Sequence, residues 1–121
     1  MKLSPVRPRI LVVDDEDAIR RSLTMMFEFE GFDCETASSG PEAVQVIERA
    51  EIDLVILDIK MAGLDGLETL RLLRERAKDV PVIMLSGHGT VKTAVEATRL
   101  GAFDFLEKPP ETEKLLVAAR N

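Results

Sequence analysis

The stretch Ile10-Leu11-Val12-Val13-Asp14-Asp15-Glu16 decides the fold. Its apolar half is short and continuous, the pattern of a strand covered on both faces. Three acidic residues follow at once, where that strand would end. The same order recurs along the chain. Leu54 to Leu57 runs into Asp58, Val80 to Leu85 into Ser86, and Phe103 to Glu107 into Lys108 and Pro109. Phe32 to Ala37 alternates Phe32, Cys34 and Thr36 with charged or small residues and reads as a strand too.

Helical patterns separate these runs. Ile19, Leu23, Met26 and Phe27 share one helical face, and Gly31 sits where a helix C-terminal glycine belongs. Pro41 suits a first helical position, and Ala43, Ile47 and Ala50 line one side. Gly63 and Gly66 punctuate a loop, after which Leu67, Leu70 and Leu73 begin a helix. Its Arg71, Arg74, Glu75, Arg76 and Lys78 read as a solvated face. Thr90 can cap a fourth helix, with Val91, Ala94, Val95 and Thr98 buried and Gly101 ending it. Leu115, Leu116 and Ala119 begin a fifth.

Strand followed by helix, five times over, predicts an α/β fold with helices on both faces of a parallel sheet. The expected architecture is flavodoxin-like and doubly wound, (βα)5, a five-stranded parallel sheet in the order 2-1-3-4-5. The chain's 121 residues suit one domain. Residues 1–9, with Pro5 and Pro8, read as a lead-in to a domain over residues 10–121.

Composition excludes several functions. A net charge of −6 repels phosphate backbones, which argues against nucleic-acid binding by this domain. A single cysteine, Cys34, and a single histidine, His88, exclude an internal disulfide, a Cys/His zinc cluster and a dithiol redox centre. No apolar run approaches the ~18 residues of a membrane helix, and no apolar signal segment marks the N-terminus for export. The reading is a cytoplasmic protein with no membrane contact.

In doubly wound sheets ligands bind beyond the carboxyl ends of the strands. There the sequence places Asp14, Asp15, Asp58, Ser86 and Lys108. Two like charges ~4 Å apart repel by about 4 kcal/mol at an effective dielectric of 20. One lysine cannot neutralise three carboxylates, whereas a divalent cation can. Oxygen ligands favour Mg²⁺, which keeps an open face for a phosphoryl oxygen. Cation, ammonium and hydroxyl together could surround a phosphoryl group, and an aspartate carboxylate can serve as its nucleophile.

Val12-Val13-Asp14-Asp15-Glu16, Leu57-Asp58-Ile59-Lys60-Met61, Ser86-Gly87 and Lys108-Pro109 resemble the signature of the response-regulator receiver domain of two-component signalling. The likeness runs from about Arg9 to Arg120. It implies that Asp58 is the phosphoacceptor and that Asp14, Asp15, Asp58 and the Lys60 carbonyl hold Mg²⁺. Ser86 and Lys108 would hold the phosphoryl oxygens, and Phe105 falls at the family's aromatic switch position. The implied partners are a sensor histidine kinase and, on phosphorylation, a second copy docked through the fourth helix, fifth strand and fifth helix. The resemblance implies a phosphoacceptor, not an enzyme, whose catalysis is confined to its own phosphorylation and dephosphorylation. Ser86 to Gly89 and Gly101 to Pro109 resemble the nitrogen-regulation (NtrC/NtrX-type) subclass of sigma-54 activators. Output domains of that subclass do not occur in this sequence, which suggests an excised receiver.

Two positions depart from the family pattern. Ala62 stands where proline is frequent, and Lys60 occupies a position that tunes dephosphorylation. Plainer readings stand beside each assignment. Glu16 could cap a helix, Ser86 could be a turn hydroxyl, Lys108 a solvated loop lysine and Phe105 a packing residue. His88 reads as solvent-facing and Cys34 as a small core residue. Alternative functions are a phosphate-independent interaction receiver and an aspartate-nucleophile phosphohydrolase. Lys60 argues against the second, because such enzymes place a second aspartate there. A nucleotide or flavin module lacks its glycine fingerprint after the first strand.

Overall fold

The computed structural model describes residues 7–58, 66–77, 79–86, 95, 98–102, 104–107 and 112–120. The elements run β1 (Arg9–Val13), α1 (Asp17–Phe29), β2 (Asp33–Ala37), α2 (Gly40–Arg49), β3 (Leu54–Asp58), α3 (Gly66–Arg76), β4 (Val82–Ser86), β5 (Asp104–Glu107) and a C-terminal helix (Thr112–Arg120). Residues 95, 98 and 99 are also helical; most of the expected fourth helix lies outside the described residues.

Every strand pairing is parallel. β1 lies between β2 and β3, and β3 pairs with β4, giving the expected order β2-β1-β3-β4. β5 adds to the free side of β4.

Alternation along the strands divides the core between two faces. Ile10 and Val12 of β1 face α1 and the C-terminal helix, packing with Leu23, Phe27, Ile56, Leu85, Leu116 and Ala118. Leu11 and Val13 face the opposite way, packing with Ala43 and Val46 of α2 and with Leu70 and Leu73 of α3. β1 and β3 are buried along almost their whole length. The continuous apolar runs Ile10–Val13 and Leu54–Leu57 therefore mark strands sandwiched between helical layers, as the sequence implied.

Three boundaries and one buried face differ from the sequence expectation. Gly66 opens α3 rather than ending the preceding loop. Val46, not only Ala43, is fully buried on α2, while Ile47 and Ala50 sit at the edge of the core. Phe32 precedes β2 and packs edge-on against Phe27, ring centroids 5.6 Å apart. β4 starts at Val82, and Pro81 contributes only its carbonyl, which accepts from Val55 N–H at 3.0 Å. Proline lacks the N–H to continue that ladder.

Helix ends follow local chemistry. Ser39 caps α2 by accepting from Glu42 N–H, while the Glu42 carboxylate accepts from the N–H of Ser38, just before the cap. α1 has no basic residue in its last turn. Arg7 serves that end from outside, donating to the carbonyls of Glu28, Gly31 and Phe32 and pairing with Asp33. Gly31 takes φ +98°, a left-handed turn that only glycine adopts without strain. Among the described residues no helix is long and apolar enough to cross a membrane.

Candidate functional site

The sheet register brings the strand ends together. Val13 is opposite Leu57, so Asp14 and Asp58 stand side by side just past that pair. Neighbouring strands are ~4.8 Å apart. Asp58 is in turn opposite Leu85, so Ser86 follows one step beyond on β4. Ser86 is opposite Glu107, the last described residue of β5. Three of the strand-end positions singled out in the sequence thus share one rim.

Two of its acids are buried: Asp14 is 1% and Asp58 3% exposed. A buried carboxylate is costly unless hydrogen bonds or a cation compensate it. Asp14 is held from several sides. Its Oδ1 accepts from Glu16 N–H at 2.9 Å. Its own N–H donates to Ala37 O at 3.1 Å, tying the end of β1 to the end of β2. Its carbonyl accepts from Arg20 Nη1 at 2.6 Å. Arg20 Nη2 also pairs with Asp17 at 3.1 Å, so the first turns of α1 and the carboxyl end of β1 form one hydrogen-bonded unit.

The carboxylate oxygens of Asp14, Asp15 and Glu16 lie within 4.8 Å of one another. Asp15 and Glu16 are exposed. A compact, oxygen-only set, half in water, suits a hard divalent cation that retains several of its waters. The donor chemistry fits Mg²⁺, and the strand register sets Asp58 beside Asp14, one member of this cluster.

Sequence reasoning missed two residues. Glu16 belongs to the acidic cluster; as the residue before α1 it makes no side-chain capping bond. The signal was its place as the third consecutive acid after β1. Arg20 fixes Asp14, and its spacing of three from Asp17 was the available clue. Lys60 and Lys108 lie outside the described residues, as do Ala62 and His88. Ser86 and Phe105 are placed by backbone only, Phe105 opposite Met84.

A doubly wound parallel sheet with carboxylates gathered at the carboxyl ends of its strands is a flavodoxin-like frame, in which ligands bind at that rim. The chain matches the family described as the response regulator receiver domain over residues 10–120, and it belongs to that family. It is 39% identical over 110 residues to a putative response regulator NtrX-like of Rickettsia typhi, covering 89% of this chain. The chain spans 23% of that protein's length. The solved receiver domain of NtrX from Brucella abortus is 42% identical, with a TM-score of 0.87, over 92% of this chain and 94% of that one. A response regulator protein from Burkholderia pseudomallei, solved with a phosphorylated aspartic acid, calcium ion and citrate, is 26% identical with a TM-score of 0.87. That likeness covers 92% of this chain and 65% of the other.

Proposed function

We propose that this chain is the phosphoacceptor switch of a two-component response regulator and that Asp58 takes the phosphoryl group from a histidine kinase. The observation that carries the reading is the pair of buried aspartates, Asp14 and Asp58, set side by side by the Val13–Leu57 register next to an oxygen-ligand cluster. The family member with a phosphorylated aspartic acid and a bound calcium ion supports it.

In this reading an Asp58 carboxylate oxygen attacks phosphorus. The bond from phosphorus to the donor's imidazole nitrogen breaks, its electron pair stays on nitrogen, and a proton from water restores the neutral ring. Asp14, Asp15, Asp58 and the Lys60 carbonyl would hold Mg²⁺. When bound, that ion neutralises the carboxylates and draws charge from the phosphoryl oxygens. The Lys108 ammonium and Ser86 hydroxyl hold the remaining phosphoryl oxygens. Burial keeps Asp58 away from bulk water, so its carboxylate meets phosphorus with little competing solvation. The chain turns over no substrate of its own; it accepts and loses one phosphoryl group.

The finer reading is a (βα)5 receiver with the switch surface on the fourth helix, β5 and the C-terminal helix. Phosphorylation would shift Ser86 and Phe105 and favour a homodimer through that surface. In a longer protein of the nitrogen-regulation type, the consequence would be control of sigma-54 transcription in the cytoplasm. Intact mass after incubation with acetyl phosphate tests the core of this. One phosphoryl group should add to wild type with Mg²⁺ and not without it. Asp58→Ala should take up none, and equal uptake by that variant would remove the assignment.

A further inference from the structure

Arg74 departs from the solvated face expected of its helix. It is partly buried, and that burial holds its guanidinium below its ordinary pKa while Asp79 nearby opposes the shift. Its Nη2 donates to Ala77 O at 3.1 Å and also to Val80 O. Both acceptors belong to the connection from α3 to β4. The stem of the same side chain leans on another part of the chain. A Cβ built at Gly101 would lie 2.8 Å from Arg74 Cδ and 3.4 Å from Cγ. Gly101 has φ +96° and donates its N–H to Thr98 O at 3.0 Å, so it forms a tight left-handed turn. On either side of it, Leu100 and Ala102 pack against the core cluster that holds Leu70, Leu73, Val82 and Met84. β5 begins at Asp104, directly after this turn.

We propose that Arg74 is a positioning residue that braces the turn at residues 98–102 against α3 and so fixes how the chain enters β5. Its head is anchored on carbonyls of the loop that leads into β4, and its stem fills the space left by the missing Gly101 side chain. One side chain therefore joins the entrances of two adjacent strands. The paired glycine is needed twice over, for its positive φ and for the room that the Arg74 stem occupies. The β4–β5 edge is thereby tied to α3 through a side chain, in addition to the strand ladder. The inference rests on these contacts alone and stands whether or not Asp58 accepts phosphate.

The test is amide hydrogen exchange on the unmodified chain, on three single variants and on one double variant. Arg74→Met keeps the stem and removes the donors; Arg74→Lys keeps a cation able to reach a carbonyl. Arg74→Met should speed exchange of the amides at residues 100–102 and 104–107 at least tenfold, while those of Leu23 to Phe27 on α1 stay within twofold. Arg74→Lys should recover most of the protection, which a role in packing alone would not give. Gly101→Ala should reproduce the Arg74→Met pattern, and combining the two should add little, because both act on one contact. Faster exchange spread evenly over the chain, or unchanged rates at residues 104–107, would overturn the proposal. If Arg74→Met proves too unstable to study, the same comparison with Gly101→Ala and Arg74→Lys decides it.

Discussion

Arg20 Nη1 donates to the carbonyl oxygen of Asp14 at 2.6 Å, pinning the first acid of the cluster to the helix that follows it. The Arg20 side chain is only 18% exposed, so water replaces this contact poorly. Losing a hydrogen bond from a charged donor to a buried carbonyl costs about 1.5–3 kcal/mol. Arg20→Ala should therefore lower unfolding stability by about 2 kcal/mol in urea titration. An unchanged midpoint would mean that the carbonyl is satisfied without it.

Crowded carboxylates make a prediction with two signs. Asp15 is exposed and shares its cluster with Asp14 and Glu16. Asp15→Asn removes one repelling charge, so without divalent cation it should be at least as stable as wild type. With Mg²⁺ the order should reverse. A cation binding only the folded state at a hundredfold excess over its dissociation constant adds about 2.7 kcal/mol. Scanning calorimetry should show Mg²⁺ raising the wild-type melting temperature and barely moving that of Asp15→Asn. Equal shifts in both would place the cation elsewhere.

Phe27 anchors the core face beneath α1. It is fully buried and meets Phe32 in an edge-to-face contact. Phe27→Ala should cost about 3–5 kcal/mol through lost burial and a cavity. Chemical denaturation measures this directly, and a loss under about 1 kcal/mol would show that the core closes over the gap.

Cys34 is half-buried on β2, and burial, with Glu28 and Asp33 nearby, pushes its thiol up to about 11 from 9.0. The neutral thiol is the form the fold favours. Its contribution to stability is complete below pH 9 and is lost as pH rises toward 11, where only the unfolded chain ionises first. Because the thiolate is the nucleophile, alkylation at pH 8 should run roughly a hundredfold slower in the native chain than in urea. As the chain's one cysteine, it makes the adduct easy to count by mass. Equal rates in the two states would contradict the assigned burial.

Much of this was legible from residue order. The runs Ile10–Val13 and Leu54–Leu57 marked strands buried on both faces, and each was followed by its acid. Because side chains alternate and parallel strands pair without offset at Val13 and Leu57, the site's frame follows from the strand ends. What the sequence hid depends on long side chains that reach across the fold. Arg20 returns to Asp14, Arg7 reaches the end of α1, and Arg74 turns inward to the turn at Gly101. Arg74 read as part of a solvated face, and Arg7 and Arg20 carried no signal of their reach, because periodicity reports where a side chain starts and not where its far end goes. The boundary at Val82 was hidden for a related reason: Val80 is apolar enough for a strand, but Pro81 cannot donate to the ladder.

The most direct test of the central claim is to locate the acyl phosphate. The chain would be treated with acetyl phosphate and Mg²⁺, reduced with borohydride to convert a phosphoaspartate to homoserine, digested, and sequenced by mass spectrometry. Homoserine at position 58 is the predicted result. Homoserine at position 14 or 15 with Asp58 intact, or a phosphoryl group on a serine or histidine, would contradict it.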